Sequence, residues 1–92
     1  MPAVIVEVYW ARRARDDRDY WRRRDRRIAK KIENLIKDIH RDPFTGLGKP
    51  EPLRHELAGY WSRRITDEHR LVYRVEGGVL YIAACRFHYQ KK

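Results

Sequence analysis

A single cysteine, Cys85, occurs in the chain, so no internal disulfide can form and a reducing, cytoplasmic setting is expected. It lies in the apolar run YIAACRF, where a small buried strand residue is a simpler reading than a reactive thiol. No apolar stretch approaches the roughly 18–20 residues that a membrane span needs, and membrane anchoring is not expected. The apolar start at Ala3 to Val6 is too short for a signal-peptide core and has no basic leader. Metal and nucleotide motifs fail as well. His55-Glu56-Leu57-Ala58-Gly59 begins like a zincin helix but ends on glycine where a second histidine is required. No Cys/His cluster has zinc spacing, and no glycine loop has Walker or dinucleotide form, so a site without metal or cofactor is expected. Acidic residues are scarce: 13 Asp and Glu stand against 22 Lys and Arg, for a net charge of +9. Such an excess calls for a polyanionic partner, nucleic acid or an acidic protein before an anionic membrane.

What is present suffices for one small domain over residues 1–92 with a modest core. Val4 to Trp10 is β-branched and aromatic with Glu7 its only charge, and reads as a first strand. From Ala11 to Arg41 the composition turns helical. Ile28, Ile32, Leu35, Ile36 and Ile39 form one apolar stripe at helical spacing. Asp25 is the expected N-cap that splits this segment into a hairpin of two helices, with Tyr20 and Trp21 packing from the first. Asp42-Pro43 ends the second helix, because a residue before proline resists the αR region.

Phe44 to His55 holds Gly46, Gly48, Pro50 and Pro52 and reads as a loop. Trp61 to Ile65 and Arg70 to Val75 read as strands joined by a turn at Thr66 to His69. A tight turn at Glu76-Gly77-Gly78 leads into a last strand, Val79 to Phe87. The fold class that follows is α+β, in the order β-α-α-β-β-β: a small antiparallel sheet carrying an N-terminal helical hairpin.

Strand periodicity sorts the basic residues. Arg70, Val72 and Arg74 share one face, with Leu71, Tyr73 and Val75 on the other. Arg64 alternates with Arg63. On the last strand Arg86 and His88 are expected on the face of Leu80 and Ile82, and Cys85, Phe87 and Tyr89 opposite. One face then gathers two or three guanidiniums beside an imidazole, the outline of a phosphate site. Glu51 stands between Pro50 and Pro52, whose rings stiffen the segment that presents its carboxylate. RNA cleavage by its own 2′-hydroxyl needs a base, cations at the pentacoordinate phosphorus and an acid for the departing 5′-oxygen. Glu51, Arg70 with Arg64, and His88 supply one of each. Read blandly, the same residues are a solvated loop glutamate, surface strand arginines and a strand-closing histidine.

KPEPLRHELAGYWSRRITDEHRLVYRV, IAACRFHY and RIAKKIENLIKDIHRDPFTGLGKPEPL together resemble the YoeB/Txe group of the RelE superfamily, over roughly Trp10 to Tyr89. The resemblance implies a toxin of a type II toxin–antitoxin system that enters the ribosomal A site and cuts mRNA, with the same fold. It implies Glu51 as general base, His88 as general acid and Arg70 as clamp on the transition state. Tyr89 would place the RNA, Arg64 would assist at phosphate, and Lys49, Arg54 and His55 would line the site. The implied products are a 2′,3′-cyclic or 3′-phosphate and a 5′-hydroxyl. Implied partners are the ribosome with its mRNA, a YefM-like antitoxin with an acidic C-terminal segment, and a second copy in a homodimer. Operator DNA would be met only within the antitoxin complex. The alternative is a degenerate module of the same fold that binds RNA or antitoxin without cutting. The chain departs from the group in Arg54, where lysine is usual, in Gln90-Lys91-Lys92 after the His-Tyr pair, and in its arginine-rich first helix.

Overall fold

The apolar stripe of the second helical segment sets the architecture. In the computed structural model, which describes residues 4–87, the chain forms β1 (Glu7–Trp10), α1 (Arg12–Arg24), α2 (Arg26–Arg41), β2 (Glu51–Pro52), β3 (Trp61–Arg64), β4 (Arg70–Glu76) and β5 (Val79–Ala84). The Asp25 carboxylate accepts from the backbone N–H groups of Arg27 and Ile28 at 3.1 and 3.3 Å, the cap expected for α2. Asp42, extended at the C-terminal end, stops α2 before Pro43. Ile32, Leu35 and Ile39 are buried from α2, and Ala14 and Trp21 from α1. They meet Leu71, Tyr73, Leu80, Ile82 and Cys85 from the sheet side. Both helices therefore cover one face of the sheet; the other is free of helices, although Ser62 and Val72 on it are buried.

The sheet runs in the order β1-β5-β4-β3-β2. The meander β3-β4-β5 is antiparallel, and its last turn places Gly77 and Gly78 at φ 58° and 78°, as a two-residue hairpin requires. Three details differ from the sequence reading. β1 joins β5 in parallel, Glu7 beside Val79 and Trp10 beside Ile82, because the intervening helical hairpin carries the chain back to the same end of the sheet. Glu51 and Pro52, expected in a loop, form a short edge strand on β3, where proline's missing N–H can face outward. The third is a bulge: Val72 faces Ala84 while Tyr73 faces Ile82, so Ala83 is left over. Beyond it the alternation inverts, and Cys85 lies in the core with Leu80 and Ile82 instead of opposite them. Trp21 Nε1 donates to the Cys85 carbonyl at 2.8 Å, and the buried Asp17 carboxylate accepts from the Cys85 N–H at 3.0 Å, which fixes the chain after the bulge.

Candidate active site

Residues directly opposite in a ladder share a face, so the pairings place the candidate residues. Glu51 faces Ser62, Ser62 faces Val72, and Val72 faces Ala84. Arg64 faces Arg70 two positions further along, about 7 Å away at strand spacing. The other alternate set, Trp61, Leu71 and Tyr73, packs in the helix-covered core. Glu51, Arg64 and Arg70 therefore stand together on the helix-free face. Glu51 and Arg64 are exposed and Arg70 is half-buried. The Arg70 guanidinium is tied through Nη1 to the carbonyls of Thr66 at 2.7 Å and of Asp67 and His69 at 3.2 Å. Among the described residues its other N–H groups make no hydrogen bond, which leaves them for another acceptor.

Lys49 lies two residues before Glu51, and Arg54 and His55 follow β2; all three are exposed. Arg54 precedes a single 3₁₀ turn, His55–Leu57. Lys49 and His55 adopt φ of 52° and 59°, and Phe87 68°. A side-chain-bearing residue held in that region costs roughly 1 kcal/mol or more, and such residues cluster at functional sites. Here they bracket the Glu51 strand and the end of the described chain. His88 and Tyr89, expected as acid and RNA-placing residue, lie outside the described residues. The chain reaches Arg70 just before them: the Arg70 N–H donates to the Phe87 carbonyl at 3.1 Å.

Two residues that sequence reasoning passed over hold these parts. Arg63 has no exposed surface and its guanidinium makes five hydrogen bonds. Nη1 donates to Asp38 Oδ2 at 2.6 Å and the Leu47 carbonyl at 3.0 Å. Nη2 donates to the carbonyls of Asp42 and Thr45, and Nε to Tyr73 Oη. Tyr73 Oη donates in turn to the Pro43 carbonyl at 2.6 Å. This cation gathers the carbonyls of the loop that leads into Glu51, and the Arg64 N–H donates to Gly48 in the same loop. The Asp38 carboxyl is held well below the ordinary carboxylate range, first by the Arg41 guanidinium, then by the Leu47 N–H and Arg63. Its alternation with Trp61 and Ile65, both apolar, is the signal that marks Arg63 as inward.

His69 is the second. Its Nδ1 accepts from the Phe87 N–H at 2.7 Å, and its ring packs between Trp21 and Phe87, with centroids 4.8 and 5.5 Å away. Nothing in its local sequence indicates this. Among the described residues no group of three His, Cys, Asp or Glu side chains could hold a metal ion, and no helix is long and apolar enough to cross a membrane.

The family model for the YoeB-like toxin of bacterial type II toxin–antitoxin systems matches residues 10–89. Toxin YoeB of Escherichia coli (strain K12) is 58% identical over 84 residues, 91% of this chain and 100% of the relative. The solved YoeB/ParE toxin from Agrobacterium tumefaciens superposes with a TM-score of 0.89 at 52% identity, over 91% of this chain and 100% of that one. A Staphylococcus aureus YoeB, 42% identical, is solved as a dimer (TM-score 0.85, 91% and 98% covered) and within a heterotetrameric YoeB–YefM toxin–antitoxin complex (0.84, 95% and 100%).

Proposed function

This chain belongs to the YoeB-like toxins of bacterial type II toxin–antitoxin systems, and from that premise we propose that it is a ribosome-dependent mRNA endoribonuclease. The observation that supports the chemistry is the helix-free sheet face, where one carboxylate, Glu51, shares neighbouring ladder positions with Arg64 and Arg70. In this reading Glu51 takes the proton of a 2′-hydroxyl and the 2′-oxygen attacks the adjacent phosphorus. Arg70 and Arg64 face the added negative charge of the pentacoordinate state, and His88 protonates the 5′-oxygen as its bond to phosphorus breaks. A 2′,3′-cyclic phosphate, or a 3′-phosphate after hydrolysis, and a 5′-hydroxyl result. Lys49, Arg54 and His55 meet neighbouring phosphates, and Tyr89 orients the RNA.

Solved relatives pair with the antitoxin YefM and with a second copy. By that likeness this toxin is neutralised by a YefM-like antitoxin whose acidic segment suits a surface of net charge +9, and it forms a homodimer. Glu51 lies on a two-residue edge strand whose neighbours are loops, so its alignment with a scissile phosphate is completed by the ribosome. The test is primer extension on mRNA incubated with antitoxin-free protein, with and without programmed ribosomes. Cuts in the A-site codon only when ribosomes are present are expected. Glu51→Gln should lower their rate by roughly 10² or more, the usual weight of a general base. Equal cutting of naked mRNA, or an unchanged rate in Glu51→Gln, would remove this reading.

A further inference from the structure

The helix-free face continues past Glu51 in the direction away from Arg64 and Arg70. One ladder position further, Tyr60, Arg74, Tyr81 and Tyr9 form a row across four strand positions. Arg74 faces Tyr81 in the β4–β5 register and Tyr81 faces Tyr9 in the β1–β5 register. Tyr60 precedes Trp61, whose partner is Tyr73, and so comes opposite Arg74. The side chains meet accordingly. The Arg74 guanidinium lies 4.2 Å from the Tyr81 ring centroid and 5.7 Å from that of Tyr60, and Tyr9 meets Tyr81 edge-on at 5.8 Å.

Tyr9 is 56% exposed, and Tyr60, Tyr81 and Arg74 are half-buried. Beside the row, Ala58, Gly59, Tyr60, Arg74, Val75 and Glu76 line an open hollow of about 500 Å³. Glu76, itself exposed, pairs with the Arg74 guanidinium through Nη1.

Three tyrosines half open to solvent on one sheet face, held by a cation between two of them, need an occupant with flat π surfaces and negative charge. We propose that this row is a base-stacking platform that takes unpaired nucleotides of the RNA adjoining the bond to be cut. The inference rests on the nuclease reading of Glu51, from which it takes the identity of the strand. The platform lies one ladder row from Glu51, and the arginines lie on Glu51's other side. A single strand crossing the face thus meets phosphate contacts at Arg64 and Arg70, the carboxylate, then rings. Aromatic rings on a sheet hold single strands with little regard to sequence, because every base presents a π face.

The test measures binding of a short unstructured RNA and of an abasic RNA of equal length to Glu51→Gln protein, which leaves both intact. Tyr9→Ala, at an exposed position, and Tyr81→Leu, which keeps bulk, are compared in that background, with far-UV circular dichroism and melting recorded for each. Removing a stacking ring should weaken binding of the RNA roughly five- to 150-fold. It should leave binding of the abasic strand unchanged and the slope of affinity against salt intact, because no charge is removed.

Equal loss for both RNAs, or no loss for either, would overturn the platform. So would variants that weaken only self-association or antitoxin capture in sedimentation, for the row would then be a protein interface. Ribosome-dependent cutting by the parent protein is scored separately. Base-dependent binding without cutting would support the platform and remove the nuclease reading. Cutting by a parent whose binding ignores the bases would do the reverse.

Discussion

On the proposed reading, single side chains divide into those that would face RNA and those that hold them in place. Glu51 is exposed and makes no packing contact on which the core depends, so Glu51→Gln should melt within about 0.5 kcal/mol of the parent while losing activity. His69 is the contrary case. Its Nδ1 is the acceptor for Phe87, the last described residue before the expected acid His88. His69→Ala should lower the cleavage rate more than it lowers ribosome affinity, whereas His69→Asn, which can still offer an acceptor, should recover part of the rate. Cys85 reports on the core. Burial, with the Asp17 charge adding to it, pushes its thiol up to about 12. A thiol whose acid dissociation is suppressed in the folded state contributes stability that is fully present below the unfolded value near 9 and is lost as pH rises towards 12. Chemical denaturation across that window should therefore show falling stability, and Cys85→Ala should flatten the fall. The thiol should also resist alkylation until denaturant is added.

At the scale of elements, the loop between α2 and β2 is a piece of chain wrapped around one guanidinium. Arg63 is fully buried and its partner Asp38 partly so, and removing the carboxylate charge leaves the buried guanidinium unbalanced, at about 3 kcal/mol or more. Asp38→Asn should reach that cost at neutral pH. It should also speed hydrogen exchange of residues 44–50 before exchange of β4, and lower cleavage in the Glu51 protein but not further in Glu51→Gln. Because the Asp38 carboxyl is depressed, its stabilisation is present above the ordinary carboxylate range and is lost progressively as pH falls from that range to the lower folded-state value. Gly46 adds a steric reason for the loop's composition. At φ 122°, a Cβ there would lie 2.1 Å from Asp38 Oδ2, so Gly46→Ala should destabilise as well. The α2 stripe, the Asp25 cap and the double-glycine hairpin were legible because each is written within a few adjacent residues. The Arg63–Asp38 pair spans 25 positions and the bulge at Ala83 has no local spelling, so neither could be read directly. The same bulge defeated the face assignment of Cys85. The strand faces of Arg64 and Arg70 follow from alternation alone. Glu51 needed the edge pairing that two prolines concealed.

For the whole molecule the net charge and the division of the sheet into a covered and an open face act together. RNA should bind with a strong inverse dependence on salt, and Arg64→Ala should reduce the slope of log affinity against log salt by about 0.7 if it neutralises one phosphate of a single strand. A slope unchanged by Arg64→Ala would place the RNA elsewhere. The parallel pairing of β1 with β5 carries a different consequence. Residues Glu7–Trp10 can find their partners only after Val79–Ala84 have been made, and closing so long a loop is slow relative to local hairpins. During translation the sheet stays open on that side until synthesis has passed β5. In refolding from denaturant, amide protection of residues 7–10 should therefore lag behind that of the β3–β5 meander.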